Sequence, residues 1–284
     1  MTIPERVRAH CAAVAESARH VSIDLDATGA IEPGAPPELD PERHFLEGSR
    51  EDVAAYLLTL GAINFGSGWF PTVRKRDGMS GYYTVASALA DHWRAAGPSL
   101  DPPDLARVLG QDPGHPLVGL YEEALRSLGS WLAGRSALDV IEGVDGSALR
   151  LAASLAEGML FFDDVGFWKR AQILPNDLAL AGLAEFHDLD ALTIFADNLV
   201  PHVLRVDGVL VYEPGLAARI DAGELIPPGS REETEIRACA VHACVHVAAE
   251  LDVPERILDT WLWNRGQEPR YKAVPRHRTR TVFY

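Results

Sequence analysis

The sequence predicts an all-α fold with at most short β segments. Three observations carry this. Apolar residues recur at helical spacing along most of the chain, strict strand-type alternation is nearly absent, and no Pro/Gly-rich break is long enough to be an interdomain linker. The expectation is one helical domain over residues 1–284, with its N-terminal and C-terminal halves packed together.

The elements follow in order. Val7, Cys11, Val14, Ala18 and Val21 sit at 3.6-type spacing and predict a first helix. Residues 51–65, 79–96, 116–133 and 147–157 also read as helices. Leu189, Leu192, Phe195 or Ala196, and Leu199 mark the core face of another. Pro201 lacks an N–H and its ring crowds the carbonyl of Asp197, so that helix should kink or end there. RVDGVLVYE (205–213) is the best candidate for a turn or short strand pair. Ser230 with Glu233, and Asp252 with Glu255, read as capping boxes: the first side chain satisfies a free N–H and the glutamate answers it. Pro/Gly-rich breaks fall at 33–37, 97–103, 110–116 and 227–229. No internal repeat or low-complexity segment is present.

Composition narrows the function. Hydrophobic residues make up 47% and charged residues 24% of 284, enough to build a core and too apolar for a disordered chain. No apolar stretch is long enough for a membrane span, and the charged start MTIPERVRAH lacks the apolar run of a signal peptide. Three cysteines without CxxC spacing argue against a disulfide framework or zinc ribbon and fit the cytoplasm. Net charge is −15. Without residues 270–284, which hold five bases and no acid, 21 bases face 41 acids. Such a body repels a nucleic-acid backbone, which disfavours bulk tRNA or DNA binding and is compatible with a small, locally bound anion.

Several constellations could carry chemistry. His187-Asp188 with Asp190 could hold a metal in a phosphohydrolase, or Asp188 could cap the helix that begins there. His242 and His246 share a helix face and could bind zinc, or be hydrogen-bonded core histidines; no glutamate lies between them as a metalloprotease needs. Asn64 to Pro71 (NFGSGWFP) is a ligand wall or an ordinary loop. Asp197 projects off the apolar face beside Phe195; a carboxylate there is costly unless paired or used, or it is an ordinary solvated Asp. Asp259, Trp261 and Trp263 could read the edge and face of a flat base, or form an aromatic core helix.

Taken together, several strings resemble one family. They are Lys169 to Leu174 (KRAQIL), Asp190 to Asp197 (DALTIFAD) with Pro201 to Leu204, Glu235-Ile236-Arg237, Asp259 to Asn264, and the closing HRTRTVFY from His277. Asn64-Phe65 and Ser80-Gly81-Tyr82 add to them. In this order they look like the queuosine salvage proteins, the queuosine 5′-phosphate N-glycosylase/hydrolases. The resemblance implies a fold akin to helical DNA glycosylases. It implies hydrolysis of the N-glycosidic bond of queuosine 5′-monophosphate, releasing queuine for tRNA modification, with no cofactor and no metal. By motif position the catalytic acid falls on Asp197. Substrate contacts fall on His44, Ile194, Phe195, Asp259 (reading the base), Thr260, where the family usually has Tyr, and Asn264, where it has Asp.

The chemistry asks for such residues. Breaking the bond builds positive charge on the ribose, which a carboxylate stabilises by charge or as a nucleophile. A 7-deazaguanine has carbon in place of N7, so help to the leaving base must come from hydrogen bonds at its edge. A carboxylate accepts from the N1–H and exocyclic amine of a guanine-like edge. A monophosphate needs donors, for which Lys169, Arg170, Arg278 and Arg280 are candidates, or the tail's bases form an internal salt-bridge strap across the acidic body. The alternatives are a metal-dependent HD-type phosphohydrolase and a non-enzymatic helical binding protein. The oligomeric state is left open.

Overall fold

Helical periods and caps become helices along most of the chain. The computed structural model describes residues 1–100 and 104–284; residues 101–103 of the predicted 97–103 break lie outside these. The helices are α1 (Ile3–Glu16), α2 (Arg50–Ile63), α3 (Gly81–Ala96), α4 (Leu105–Val108), α5 (Pro116–Leu132), α6 (Ala137–Glu142) and α7 (Ala148–Gly158). They continue with α8 (Lys169–Leu180), α9 (Val200–Val206), α10 (Pro214–Asp221), α11 (Arg231–Glu250), α12 (Glu255–Arg265) and α13 (Pro269–Lys272). Two short strands, β1 (Val21–Ile23) and β2 (Leu210–Tyr212), pair antiparallel, Val21 opposite Tyr212. The fold is all-α. Among the described residues no helix is long and apolar enough to cross a membrane.

The chain divides into two compact units, each assembled from pieces distant in sequence. Unit 1 comprises residues 1–37, 165–169 and 190–281. Its spine is α11, which packs against α1, β1, α9 and α12. α11 buries Ile236, Ala240, Cys244 and Val247 together with Glu235 and Arg237. A helix carrying small residues on its buried faces lets its neighbours approach closely, and its buried charges, Glu233 among them, must be paired to be tolerated.

Unit 2 comprises residues 38–164, 170–189 and 282–284. Its centre is α2, buried continuously from Val53 to Ile63 and packed against α3, α5 and α6. A helix apolar on all sides belongs in the middle of a core. Ser49 and Asp52 close its first turn as a capping box. The loop after α2 turns at Gly66, whose φ of +94° favours glycine and whose missing side chain makes room for Leu117. The N–H groups of Gly66 and Ser67 donate to the Tyr284 carbonyl at 2.9 and 3.3 Å, giving the glycine cluster a structural task.

Some local expectations are corrected. The first helix stops at Glu16; Ala18 lies beyond it and Val21 is in β1. Residues 210–212 do form a strand, but it pairs with β1 and not within its own segment. Ser230 caps α11 by accepting the Glu233 N–H at 3.2 Å. Glu233 reaches back to Gly229 and across to Arg237, not to Ser230. The second box is absent: α12 begins after Pro254, and Glu255 is taken by Arg8 at 2.6 Å.

Candidate active site

The segment preceding Asp197 is buried yet not helical. After a short 3-10 turn at Leu189–Ala191 it runs through Leu192, Thr193, Ile194, Phe195 and Ala196, all buried, before α9 begins at Val200. This corrects the expected helix over 189–199. Pro201 occupies the first turn of α9, where a missing N–H costs nothing, so the proline opens a helix instead of ending one.

A buried backbone outside a helix needs other partners, and remote side chains of unit 1 supply them. Asp259 Oδ1 accepts the Phe195 N–H at 2.8 Å. Arg237 Nε donates to the Ala196 carbonyl at 3.0 Å. Arg237 lies over the Phe167 ring at 3.9 Å and faces Glu233 at 3.5 Å, which offsets the cost of burying a guanidinium. Burial raises the pKa of Glu255, while Arg8 acts in the opposite direction.

Asp197 sits half-buried at the end of this anchored stretch. Its Oδ1 accepts the N–H groups of Leu199 at 2.6 Å and Val200 at 3.2 Å, an Asx-type turn that leads into α9. Oδ2 has no hydrogen-bond donor among the described residues. One carboxylate oxygen is thus fixed by the backbone, and the other is available for chemistry.

α12 carries Asp259 one turn in from its start, on the buried face with Leu258 and Leu262. Thr260 is half-buried beside it, its hydroxyl donating to the Arg256 carbonyl at 3.3 Å. Asn264 is exposed, since five positions along a helix turn it well away from Asp259. Trp261 is held by the N-terminal stretch: its Nε1 donates to the Ala35 carbonyl at 3.0 Å, and its ring fills the space that a side chain at Gly34 would need.

The C-terminal stretch contributes Arg276. Arg205 donates to the Pro275 carbonyl and Asn198 to the His277 carbonyl, both at 3.4 Å, which straps 275–277 beside the Asp197 turn and α9. Burial lowers the pKa of the Arg276 guanidinium, and the charge of Asp197 counters it. Burial also pushes His277 down to about 3, with Arg237 and Arg276 adding to the shift.

In unit 2, His44 is buried, and burial lowers its pKa. Its Nδ1 lies 2.9 Å from the Asp40 carbonyl and its Nε2 3.0 Å from the Tyr82 hydroxyl. Arg170 is fully buried, its guanidinium over Phe162 at 4.3 Å and Phe65 at 4.7 Å. It donates to the carbonyls of Phe161, Val282, Gly61 and Ala62 at 2.5–3.1 Å.

The queuosine salvage protein model matches residues 44–284. Across 95% of this chain and 95% of its own length, the queuosine 5′-phosphate N-glycosylase/hydrolase of Sphaerobacter thermophilus is 35% identical. The chain belongs to the queuosine salvage protein family. Proteins of the same description from Dictyostelium discoideum (40% identical, 42% of this chain and 40% of theirs) and Bos taurus (32%, 60% and 58%) match shorter stretches.

The family match takes in every site residue singled out from the sequence. Unit 1 brings Ile194, Phe195, Asp197 and Asp259 together through the anchored segment. It does not bring Asn264 to them. Lys169 is buried at the start of α8. Arg170 is corrected from phosphate donor to scaffold, its guanidinium given to four carbonyls. Arg278 is likewise committed, to the Gly223 carbonyl, while Arg280 is exposed. The sequence reading missed Arg276, Glu255 and Arg237 in unit 1 and Tyr82 as the partner of His44. Arg276 is indistinguishable from the other tail bases by pattern, whereas Glu235-Ile236-Arg237 and Tyr82 stood in the family-like strings.

The metal alternatives find little support. Asp188 does not cap a helix of its own. Its two oxygens accept the Ser147 hydroxyl at 2.6 Å and the Ala148 N–H at 2.7 Å, capping α7. His242 and His246 meet ring to ring at 4.9 Å. Among the described residues no three His, Cys, Asp or Glu side chains gather as a metal-ligand set.

Proposed function

We propose that this chain hydrolyses the N-glycosidic bond of queuosine 5′-monophosphate, releasing queuine for salvage into tRNA. The observation that carries the reading is Asp197: one oxygen fixed by two backbone N–H groups, the other unengaged, at the end of a segment whose backbone is bonded by Asp259 and Arg237. The match to relatives described as queuosine 5′-phosphate N-glycosylase/hydrolases supplies the substrate.

As the bond lengthens, the ribose gains positive charge and the deazaguanine negative charge. Asp197 stabilises the first, and its fixed orientation means that no reorganisation is needed as charge develops. Asp259 reads the donors of the guanine-like edge, and Phe195 and Ile194 border the base. Thr260 adjoins Asp259. His44 stays assigned to the substrate by its motif position. Water adds its oxygen to C1′, and its proton ends on the departing base. No step calls for a cofactor or metal. The partner is a small nucleotide, and we place the reaction in the cytoplasm, where three buried cysteines outside any disulfide, Cys11, Cys239 and Cys244, persist without oxidation.

The test is incubation with queuosine 5′-monophosphate and mass spectrometry of the products. Free queuine with ribose 5-phosphate is the expected result. Queuosine with inorganic phosphate would instead select a phosphohydrolase.

A further inference from the structure

We propose that Arg276 grips the 5′-phosphate of the substrate; this rests on the N-glycosidase reading above. In a nucleoside 5′-monophosphate the phosphate hangs from the same ribose whose C1′ reacts. The residue that holds it must therefore lie within a side chain's reach of the one that stabilises C1′. Arg276 is placed so by the 275–277 strap, which lays it beside the Asp197 turn through the contacts of Arg205 and Asn198.

Its lack of other employment is the second argument. Arg205 pairs with Asp221, Arg237 with Glu233, Arg265 with Asp207, and Arg278 donates to Gly223. Arg276 is half-buried and, among the described residues, makes no hydrogen bond and no close ion pair. A guanidinium partly stripped of water and unpaired is costly. An incoming phosphate relieves that cost through charge-assisted, bidentate hydrogen bonds. The pairing also serves the reaction. A phosphate dianion close to Asp197 would repel its carboxylate, and Arg276 neutralises that repulsion without touching C1′.

The experiment compares hydrolysis of queuosine 5′-monophosphate and of queuosine by wild type, Arg276→Gln and Arg276→Lys. Arg276→Gln is expected to lower kcat/KM for the monophosphate by roughly ten- to a hundredfold more than for the nucleoside. Arg276→Lys, which keeps the charge and loses the fork, should fall between. The loss should sit mainly in KM, and circular dichroism should show an unchanged melting curve. Equal losses on both substrates, or no loss on either, overturn the assignment. If wild type cleaves neither substrate, the N-glycosidase reading fails. Line broadening of inorganic phosphate in phosphorus NMR then decides on Arg276 alone: broadening by wild type that disappears in Arg276→Gln upholds it, and identical spectra overturn it.

Discussion

Asp259 Oδ1 and the Phe195 N–H meet at 2.8 Å across 64 positions of sequence. The carboxylate proposed to read the base thus also fixes the backbone at Phe195, which is proposed to border it. Changing it disturbs two things, and the choice of substitution separates them.

Asp259→Asn retains an oxygen for the Phe195 N–H but loses the acceptor pair that a guanine-like edge requires. It should melt near wild type and bind queuine roughly five- to 150-fold more weakly. Asp259→Ala should show the same affinity loss plus about 1–3 kcal/mol of destabilisation from the orphaned N–H. Calorimetric titration of queuine and thermal melts of both variants check this. Unchanged affinity in the Asn variant would leave Asp259 a purely structural residue.

Asp197→Asn keeps an oxygen for Leu199 and Val200 and removes the charge. Turnover of queuosine 5′-monophosphate should drop by far more than tenfold while the fold and queuine affinity hold. A variant retaining above about a tenth of the rate has lost only about 1.4 kcal/mol of barrier stabilisation, too little for the residue that carries the oxocarbenium-like state.

Glu255 makes stability depend on pH in a definite direction. Its pKa is raised in the folded chain above the ordinary 4.5 by burial. Between those two values the native state holds more protons than the unfolded one. Stability therefore falls as pH rises through that window, and stays lower above it. Glu255→Gln does not titrate. The melting temperature of wild type relative to this variant should decline from pH 4.5 upward and then level off. A difference constant with pH would refute the assignment.

Arg170 should behave as scaffold. Arg170→Met leaves the carbonyls of Gly61, Ala62, Phe161 and Val282 without this donor and is expected to cost about 3–5 kcal/mol. That cost should appear equally with and without substrate. A stable variant with a selectively raised KM for the monophosphate would restore Arg170 as a phosphate contact.

Much of the helical fold was legible because its causes are local. The helices α2, α3, α5 and α7 carry both an apolar period and a capping side chain, and they fall within two residues of the predicted bounds. The stretch 189–199 has the same apolar period but no helix. Its Phe195 N–H and Ala196 carbonyl are taken by Asp259 and Arg237, partners that no local window contains. Asp197 and Asp259 stood out as carboxylates beside apolar and aromatic residues, and the family-like strings that hold them suggested their roles. Arg276 was not, because nothing in a run of tail bases distinguishes the unpaired one from Arg278, which is tied to Gly223.

The long-range anchoring of 195–196 bears on the order in which the enzyme matures. Helices form from neighbours in sequence, but this stretch gains its hydrogen bonds only after loops spanning more than forty residues have closed, at an entropic cost with no early return. The segment leading to Asp197 should therefore be among the late structures of folding. On a ribosome, the reaction must wait until the chain beyond α12 has emerged and docked.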